Sequence, residues 1–436
     1  MEHSMYVIVG GGVSAVACCQ ELRNVDQFGS ITLISASPLL KVVKNHVPIG
    51  QLLQSFDVSE QSMSRTFTDE ENIKVVKGKV TGWNWKDKIL FLKNGRSFAY
   101  NKLCLCTGGR PKVQWKHPLI ITIRDTETVE RLSKKIRNAR RVVIVGNGGI
   151  ATEVVYELKN VEIIWAIRHS SISATFFDEG AAEFFKPMLF SGKTNEKRKG
   201  FAGSKQYRIT VEDDGNTESG VAGCALGPDW AVGVDISGAL KERSVHVIYN
   251  VEMKGFLESI EKVTLTKESP FSEGDWPLYI ELTDGQIVGC DLVIQATGVQ
   301  PNSDLWKASC SDMRLWTQAY QMGGYCGRCM AITDITLDFC FELFSHITTF
   351  FGYKVIFLGK FNGQDVEKPW HVLMRISKDR DYIKLIIHNG RIQGAVLVGE
   401  TNLEEAIENL ILNQIDITDV EDELLDPDID IGDYYD

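Results

Sequence analysis

The chain has 436 residues, 44% of them apolar and 24% charged, which is enough for two or three domains with their own cores. No run of about 18 apolar residues is present, so no helical membrane span is expected. The net charge of −11 is concentrated between Asp416 and Asp436, where ten acidic residues occur without a Lys or Arg; the remaining body is near neutral, which argues against direct nucleic-acid binding.

In chain order, strand-like residues begin at Met5, so no presequence is expected. Ten cysteines without a signal peptide read as reduced thiols, and together these features point to the cytoplasm or nucleus. The segment Tyr6-Val7-Ile8-Val9-Gly10-Gly11-Gly12-Val13-Ser14-Ala15 predicts a strand over 5–9 that turns sharply into a helix over about 12–23. In this G-x-G-x-x-A pattern the first Gly permits the turn and the second lets backbone approach a pyrophosphate. The small third residue lets the helix pack on the strand, and the helix N-terminus offers free N–H groups. A second strand is expected over 30–34, and short strands over 73–100 around an Asn94-Gly95 hairpin turn. A strand then ends in the small-residue turn Cys106-Thr107-Gly108-Gly109-Arg110-Pro111, and a helix follows at about 126–139.

The glycine pattern recurs at Val142-Val143-Ile144-Val145-Gly146-Asn147-Gly148-Gly149-Ile150-Ala151. One such turn is weak evidence for a nucleotide site. Two at domain spacing point to two dinucleotides in one protein, and hence to electron transfer. Between about 186 and 230 the apolar periodicity dissolves, which reads as a mobile insertion. Pattern resumes at Val245 and reaches the turn Ala296-Thr297-Gly298-Val299-Gln300-Pro301-Asn302. Two alternating runs around Asn389-Gly390 predict a hairpin, with a helix at about 402–413 and then the acidic segment. That segment reads as a solvated, mobile tail, or else as a docking segment for a basic partner.

The order of the two glycine turns, the 106–111 turn and the 296–302 turn resembles that of pyridine nucleotide-disulfide oxidoreductases. The resemblance implies an α/β chain with two Rossmann-like dinucleotide-binding domains, for FAD and NAD(P)H, plus a small α+β C-terminal domain. The FAD domain would comprise 1–125 and 291–335, the NAD(P)H domain 126–290, the C-terminal domain 336–415, and the tail 416–436. FAD would lie on Gly10, Gly12 and Ala15, with Thr107 and Gly108 closing over it. NADPH or NADH would lie on Gly146, Gly148 and Ala151, with Thr297 and Gly298 lining the same crevice. Glu153 matches a Glu that in relatives sits near the nicotinamide. Lys41 falls where relatives place a basic residue beside the flavin; otherwise it is a solvated Lys. The implied activity is hydride transfer from NAD(P)H to flavin and on to a diffusible acceptor, with a redox-protective role. The implied location is cytoplasmic and nuclear. In such a pair the protein supplies orientation and excludes water, and the cofactors carry the chemistry.

Four features depart from that pattern. Where relatives end the second strand in an acid that takes the FAD ribose, this chain has Ser35. A neutral hydrogen bond contributes about 1 kcal/mol against roughly 1.5–3 for a charged one. No acid closes the strand before Arg168 and His169, whose positive charge would suit the 2′-phosphate of NADPH; the alternative is a surface Arg and His. Redox cysteines are not found in a C-x-x-C or C-x4-C near the first helix, and Cys326-Gly327-Arg328-Cys329 reads as helix packing. Lastly, relatives carry a strand ending in Gly-Asp, whose Asp binds the flavin ribitol, before a helix that resembles Asp312–Gly323. Here Pro301–Ser311 runs straight into that helix. Gly274-Asp275 and Gly432-Asp433 lack a preceding apolar strand. The expected source of the gap is alternative splicing or an incomplete gene model, with a repurposed scaffold as the second explanation. The alternative function is a flavin-poor binding or regulatory protein acting through its C-terminal domain or tail.

Overall fold

The computed structural model describes residues 1–68, 71–191, 230–231, 234–259, 269–306, 315–378, 380–426 and 431. The first unit is built on β1 (Glu2–Val9), which is apolar and buried from Tyr6 to Val9 because sheet neighbours and helices cover it. It passes through Gly10 into α1 (Val13–Val25) and returns as β2 (Ile31–Ser35). An antiparallel ribbon follows, β3 (Leu39–Pro48) with β4 (Gln54–Ser62), and then β5 (Ile73–Lys77), β6 (Val80–Asn84), β7 (Ile89–Leu92) and β8 (Ser97–Leu105). The sheet order is β5-β2-β1-β8-β7-β6, with the first four strands parallel and the last two joined as antiparallel hairpins. Gly95, at φ 82°, makes the expected turn between β7 and β8. β7 pairs with β8 only from Ser97 to Ala99. Among the described residues, no strand covers the outer edge of β8 beyond that point.

The second unit comprises β9 (Gly109–Pro111), β10 (Ile120–Ile121), α2 (Thr126–Ile136), β11 (Arg141–Val145), α3 (Gly149–Glu157), β12 (Glu162–Ala166), α4 (Glu179–Ser191), β13 (Ser244–Ile248), β14 (Met253–Leu257), β15 (Leu278–Leu282), β16 (Ile287–Cys290), β17 (Leu292–Gln295) and β18 (Val299–Pro301). Its parallel sheet runs β10-β17-β11-β12-β13, with β14-β15-β16 as an antiparallel meander. Asp125 starts α2 by accepting from Thr128 N at 2.9 Å while Thr128 Oγ1 accepts from Asp125 N at 3.0 Å, a reciprocal cap. The expected insertion from about 186 is corrected at its start. Residues 186–191 belong to α4, because Phe185, Met188 and Leu189 are buried on one face of that helix. Residues 192–229 lie outside the described residues.

The chain then returns to the first unit as α5 (Trp316–Ala331), which packs along α1. The last unit is the antiparallel sheet β19 (Ser345–Phe350), β20 (Tyr353–Gly359), β21 (His371–Ser377), β22 (Asp381–His388) and β23 (Arg391–Gly399), in the order β19-β20-β23-β22-β21, covered by α6 (Glu404–Leu412). Asn389 and Gly390, at φ 49° and 67°, form the expected turn between β22 and β23. The acidic segment is corrected as far as Asp426: it is not a free tail. Ile417, Leu424, Leu425 and Ile431 are buried with Ile407 and Leu410 of α6, because apolar residues recur between the acids. Ile417 N donates to Gly390 O at 2.8 Å, and Arg375 Nη1 donates to Leu425 O at 3.0 Å. Residues 427–430 and 432–436 lie outside the described residues.

Two buried polar contacts fix this sheet against the rest. Glu408 of α6 is fully buried and accepts from the backbone N–H groups of Gln51, Leu52 and Leu53 at 2.5, 2.9 and 2.7 Å, in the loop between β3 and β4. Lys384 of β22, also buried, donates to Asp178 Oδ2 at 2.7 Å just before α4. On β19, His346 is enclosed between Phe357 and α5, and its Nδ1 lies 3.0 Å from Thr317 Oγ1. Burial pushes its pKa down to about 4. The folded chain therefore takes up this proton only near pH 4, whereas an unfolded chain takes it up near 6.5. We expect stability to fall as pH drops from about 6.5 to 4, by roughly 3 kcal/mol from this group. Thermal midpoints measured across that range for the unmutated chain and His346→Gln would check it; an identical slope in both would remove the assignment.

Candidate functional site

The two glycine turns share one geometry. Gly10 sits at φ 144°, and a Cβ there would stand 2.1 Å from the Cys106 carbonyl oxygen; Gly146 sits at φ 132°, with the Ala296 carbonyl oxygen at 2.2 Å. Both positions need Gly for the same two reasons, a backbone angle that L residues avoid and a neighbouring strand pressed against the turn. Gly12 and Gly148 differ from them. Each is the N-cap of its helix, in extended backbone, and a Cβ on either would meet nothing within 4 Å. Neither helix start carries a side-chain cap, so first-turn N–H groups face an open cradle. Such a cradle suits a pyrophosphate, and the donor set fits an ADP-bearing coenzyme at both places. Ala15 and Ala151, both fully buried, hold the helices close to their strands.

The turns at 107–108 and 297–298 are tied together. β9 and β18 pair antiparallel, Val299 opposite Pro111. Thr107 Oγ1 donates to Asn302 O at 3.1 Å, Asn302 Nδ2 returns to Thr107 O at 2.9 Å, and Asn302 N donates to Gly108 O at 2.9 Å. Gly108 and Gly298 adopt φ 61° and 108°. Gln295 Nε2 donates to Lys112 O at 2.7 Å and lies 3.4 Å from Thr297 Oγ1. The segment that closes the first cradle is thus continuous with the segment beside the second.

Lys41 is buried rather than solvated. Its backbone N–H donates to Gly11 O at 2.9 Å, and its Nζ meets Glu60 Oε1 of β4 at 2.5 Å. Thr126 at the start of α2 donates to the same Glu60 oxygen. Sequence reasoning missed Glu60, because a polar strand offers no apolar alternation to mark it. Glu153 lies on α3, where Trp230 Nε1 donates to its Oε2 at 2.7 Å. The hydrogen bonds pair Lys41 and Glu153 with different partners, not with each other.

Ser35 ends β2 beneath Gly11, where a Cβ on the glycine would stand 2.4 Å from its Oγ. Its Oγ donates to Ser37 O at 3.0 Å and accepts from Ser37 N at 3.2 Å. One lone pair remains, so it can accept from a ribose hydroxyl but its proton is engaged. His169 Nδ1 lies 3.0 Å from Asn147 Nδ2, and Asn147 also bonds Ser171 O and Ser173 N, clamping the second glycine turn. Arg168 is two-thirds exposed, with Glu252 4.0 Å from its Nη1. A cleft of about 830 Å³ runs along the far flank of α1 and α5, lined by residues such as Gln20, Glu21 and Tyr320. It touches neither glycine cradle.

Of the expected cysteine arrangement, Cys329 is exposed, while Cys326 turns inward to meet Cys104 Sγ at 3.3 Å. Helix packing therefore describes only part of what Cys326 does. Trp306 is buried in a cluster against which Leu305, Leu103, Leu105 and Trp83 pack, its ring 5.4 Å from that of Trp83. No helix of the described residues is long and apolar enough to cross a membrane.

Residues 4–249 match the family described as pyridine nucleotide-disulphide oxidoreductase, and residues 345–415 match the rubredoxin NAD+ reductase C-terminal domain. The chain is 39% identical over 493 residues to pyridine nucleotide-disulfide oxidoreductase domain-containing protein 1 of Mus musculus, covering 99% of this chain and 98% of that one. The protein of the same name from Homo sapiens is 38% identical over 492 residues, with the same coverage. Alignments of that length exceed this chain's 436 residues, so the relatives carry internal residues without a counterpart here. In fold, it is similar to the reductase of the covalent putidaredoxin reductase–putidaredoxin complex (TM-score 0.65, 15% identity, 99% of this chain and 98% of that one). It is likewise similar to the ferredoxin reductase for the CYP199A2 system from Rhodopseudomonas palustris (TM-score 0.66, 15% identity, 99% of each). With two dinucleotide folds, their glycine cradles and full-length likeness in agreement, the chain belongs to the pyridine nucleotide-disulphide oxidoreductase family.

Proposed function

We propose that this chain is an FAD-dependent NAD(P)H oxidoreductase that passes electrons to a diffusible acceptor in a redox-protective role, in the cytoplasm and nucleus. The observation that carries the reading is the pair of uncapped helix starts over Gly12 and Gly148, each open where a pyrophosphate would rest. Gly10, Gly12, Ala15, Ser35, Thr107 and Gly108 would hold FAD, and Gly146, Gly148, Ala151, Thr297 and Gly298 would hold the nicotinamide coenzyme. When bound, FAD supplies a two-electron acceptor for the nicotinamide hydride. The Lys41–Glu60 pair, fixed next to Gly11, would present a buried ammonium whose charge is balanced by its partner. Glu153 would stand near the nicotinamide end of the second cradle. Arg168, two-thirds exposed and with Glu252 4.0 Å away, can turn to a 2′-phosphate, which favours NADPH. Relatives in structure named for a reductase–putidaredoxin complex and a ferredoxin reductase support a protein electron carrier as an alternative acceptor.

One observation favours a second reading. Among the described residues no strand covers the edge of β8 beyond Ser97–Ala99, and an unpaired edge beside the flavin cradle favours a flavin-poor binding protein. Absorption separates the two. Bands near about 375 and 450 nm that bleach anaerobically on adding NADPH are expected for the oxidoreductase. A colourless chain that takes up no added FAD would sink it. Arg168→Ala should raise KM for NADPH about 10-fold and leave NADH unchanged, since a charged hydrogen bond is worth roughly 1.5–3 kcal/mol.

A further inference from the structure

Three thiols from distant parts of the chain converge between α1, β8 and α5. The sulfur atoms of Cys18, Cys104 and Cys326 all lie within 4.8 Å of one another, and Cys104 and Cys326 are 3.3 Å apart. Cys106, on the same face of the chain two residues after Cys104, brings its Sγ to 3.4 Å from Cys104 Sγ and 3.5 Å from Ser14 Oγ. The convergence depends on two glycines of α5. A Cβ on Gly323 would stand 2.2 Å from Ser14 O, and one on Gly327 would stand 2.8 Å from Cys18 O. Only bare backbone lets α5 lie this close to α1, and that approach carries Cys326 against Cys18. Cys329 is exposed, so the working unit is not the Cys-x-x-Cys of the sequence but a set assembled by tertiary packing.

Single buried cysteines usually serve as small apolar residues. Three sulfurs meeting at one point are a ligand set. A thiolate-bound Zn2+ has metal–sulfur distances of about 2.3 Å, which places sulfurs about 3.8–4.0 Å apart in trigonal or tetrahedral geometry. The Cys104–Cys326 separation of 3.3 Å is about half an ångström short of that value, and the 4.8 Å limit on the other pairs admits it. No carboxylate or imidazole belongs to the group, which rules against hard cations such as Mg2+ or Ca2+. The surroundings, including Leu22, Leu40 and Met330, are apolar and buried, so a low net charge is required. Zn2+ on three thiolates, or Cu+ on two, leaves one negative charge.

We propose that Cys18, Cys104 and Cys326 form a site for one thiophilic closed-shell cation, Zn2+ or Cu+, that staples α1, β8 and α5 together. Each ligating thiol releases its proton to solvent as the sulfur–metal bond forms, and no electron is transferred. The site does not depend on the flavin reading, because none of its ligands belongs to the glycine cradles.

The test uses the full chain, reduced and stripped of metal, then dialysed against Zn2+ or, without oxygen, against Cu+. About one ion per chain is expected for one of these cations, unchanged in Cys329→Ser and reduced at least about fivefold in Cys18→Ala/Cys326→Ala. The cation retained after dialysis identifies the occupant. Equal metal in the double variant, or no metal in the unmutated chain, overturns the site. So does recovery of a Cys104–Cys326 disulfide from a chain that binds no metal, which would make the cluster a redox pair instead. Should the variants fail to fold, alkylation of Cys326 in the unmutated chain decides the matter. Bound metal is expected to slow it at least about tenfold, and an unchanged rate overturns the proposal.

Discussion

Gly12→Val is expected to yield a folded chain with no flavin, whereas Gly10→Ala is expected to yield little folded chain at all. The two residues are neighbours in one turn, yet the structure assigns them opposite tasks. Gly12 has φ −81° and ψ 178°, a region in which Val is comfortable, and its Cβ would enter open space. The added branches would then stand where a pyrophosphate must approach the N–H groups of α1. Overpacking of that kind costs about 1–3 kcal/mol or more, which is roughly 5- to 150-fold or more in affinity. Gly10 instead has φ 144° and the Cys106 carbonyl 2.1 Å from a would-be Cβ, so even a methyl group forces β1 and β8 apart. That loss is expected to exceed about 3 kcal/mol, a large part of a marginal stability. Flavin content by absorption and thermal midpoint by circular dichroism check both arms. Full flavin in Gly12→Val would show that the coenzyme does not lie on this turn.

Glu408→Ala is expected to free the C-terminal sheet from the first unit. The carboxylate is fully buried and accepts from three consecutive backbone N–H groups, those of Gln51, Leu52 and Leu53. Removing it leaves the buried N–H groups of Leu52 and Leu53, and the part-buried one of Gln51, without their partner, at a cost of about 3–5 kcal/mol. For a chain of this size, that corresponds to a fall in thermal midpoint of about 3–6 °C. Glu408→Gln should cost less. Leu52 and Leu53 both donate to Oε1, which an amide oxygen can replace, whereas Gln51 donates to Oε2, where the amide nitrogen would face it. Hydrogen exchange at 51–53 reads the contact directly: fast exchange is expected in the Ala variant. Protection equal to that of the unmutated chain would mean that Leu52 and Leu53 hold the loop by apolar packing alone.

Both glycine cradles were legible in the sequence because their requirements are local. A strand feeding a turn with positive φ at its first Gly, an open second Gly and a small third residue can be recognised from ten contiguous residues. The same holds for the Asn94-Gly95 and Asn389-Gly390 hairpins, whose φ values follow from residue type. The ribbon of β3 and β4 escaped notice for the converse reason. Every residue of β4 is only half-buried, so no apolar alternation marks Gln54–Ser62 as a strand, and with it went Glu60, the partner of Lys41. The acidic segment misled through its charge. Its net sign says solvent, while a few apolar residues between the acids decide that it packs.

By itself the sequence determined the family, the α/β class and the two dinucleotide turns. Tertiary structure alone decided which side chains meet: Cys104 with Cys326, 222 residues apart, and Glu408 with a loop more than 350 residues earlier. The physical reason is one of range. Backbone angle, strand period and helix capping act over a few bonds and leave a trace in neighbouring residue types, whereas the closeness of two sulfurs or a carboxylate and three amides is set by helices and sheets closing on one another.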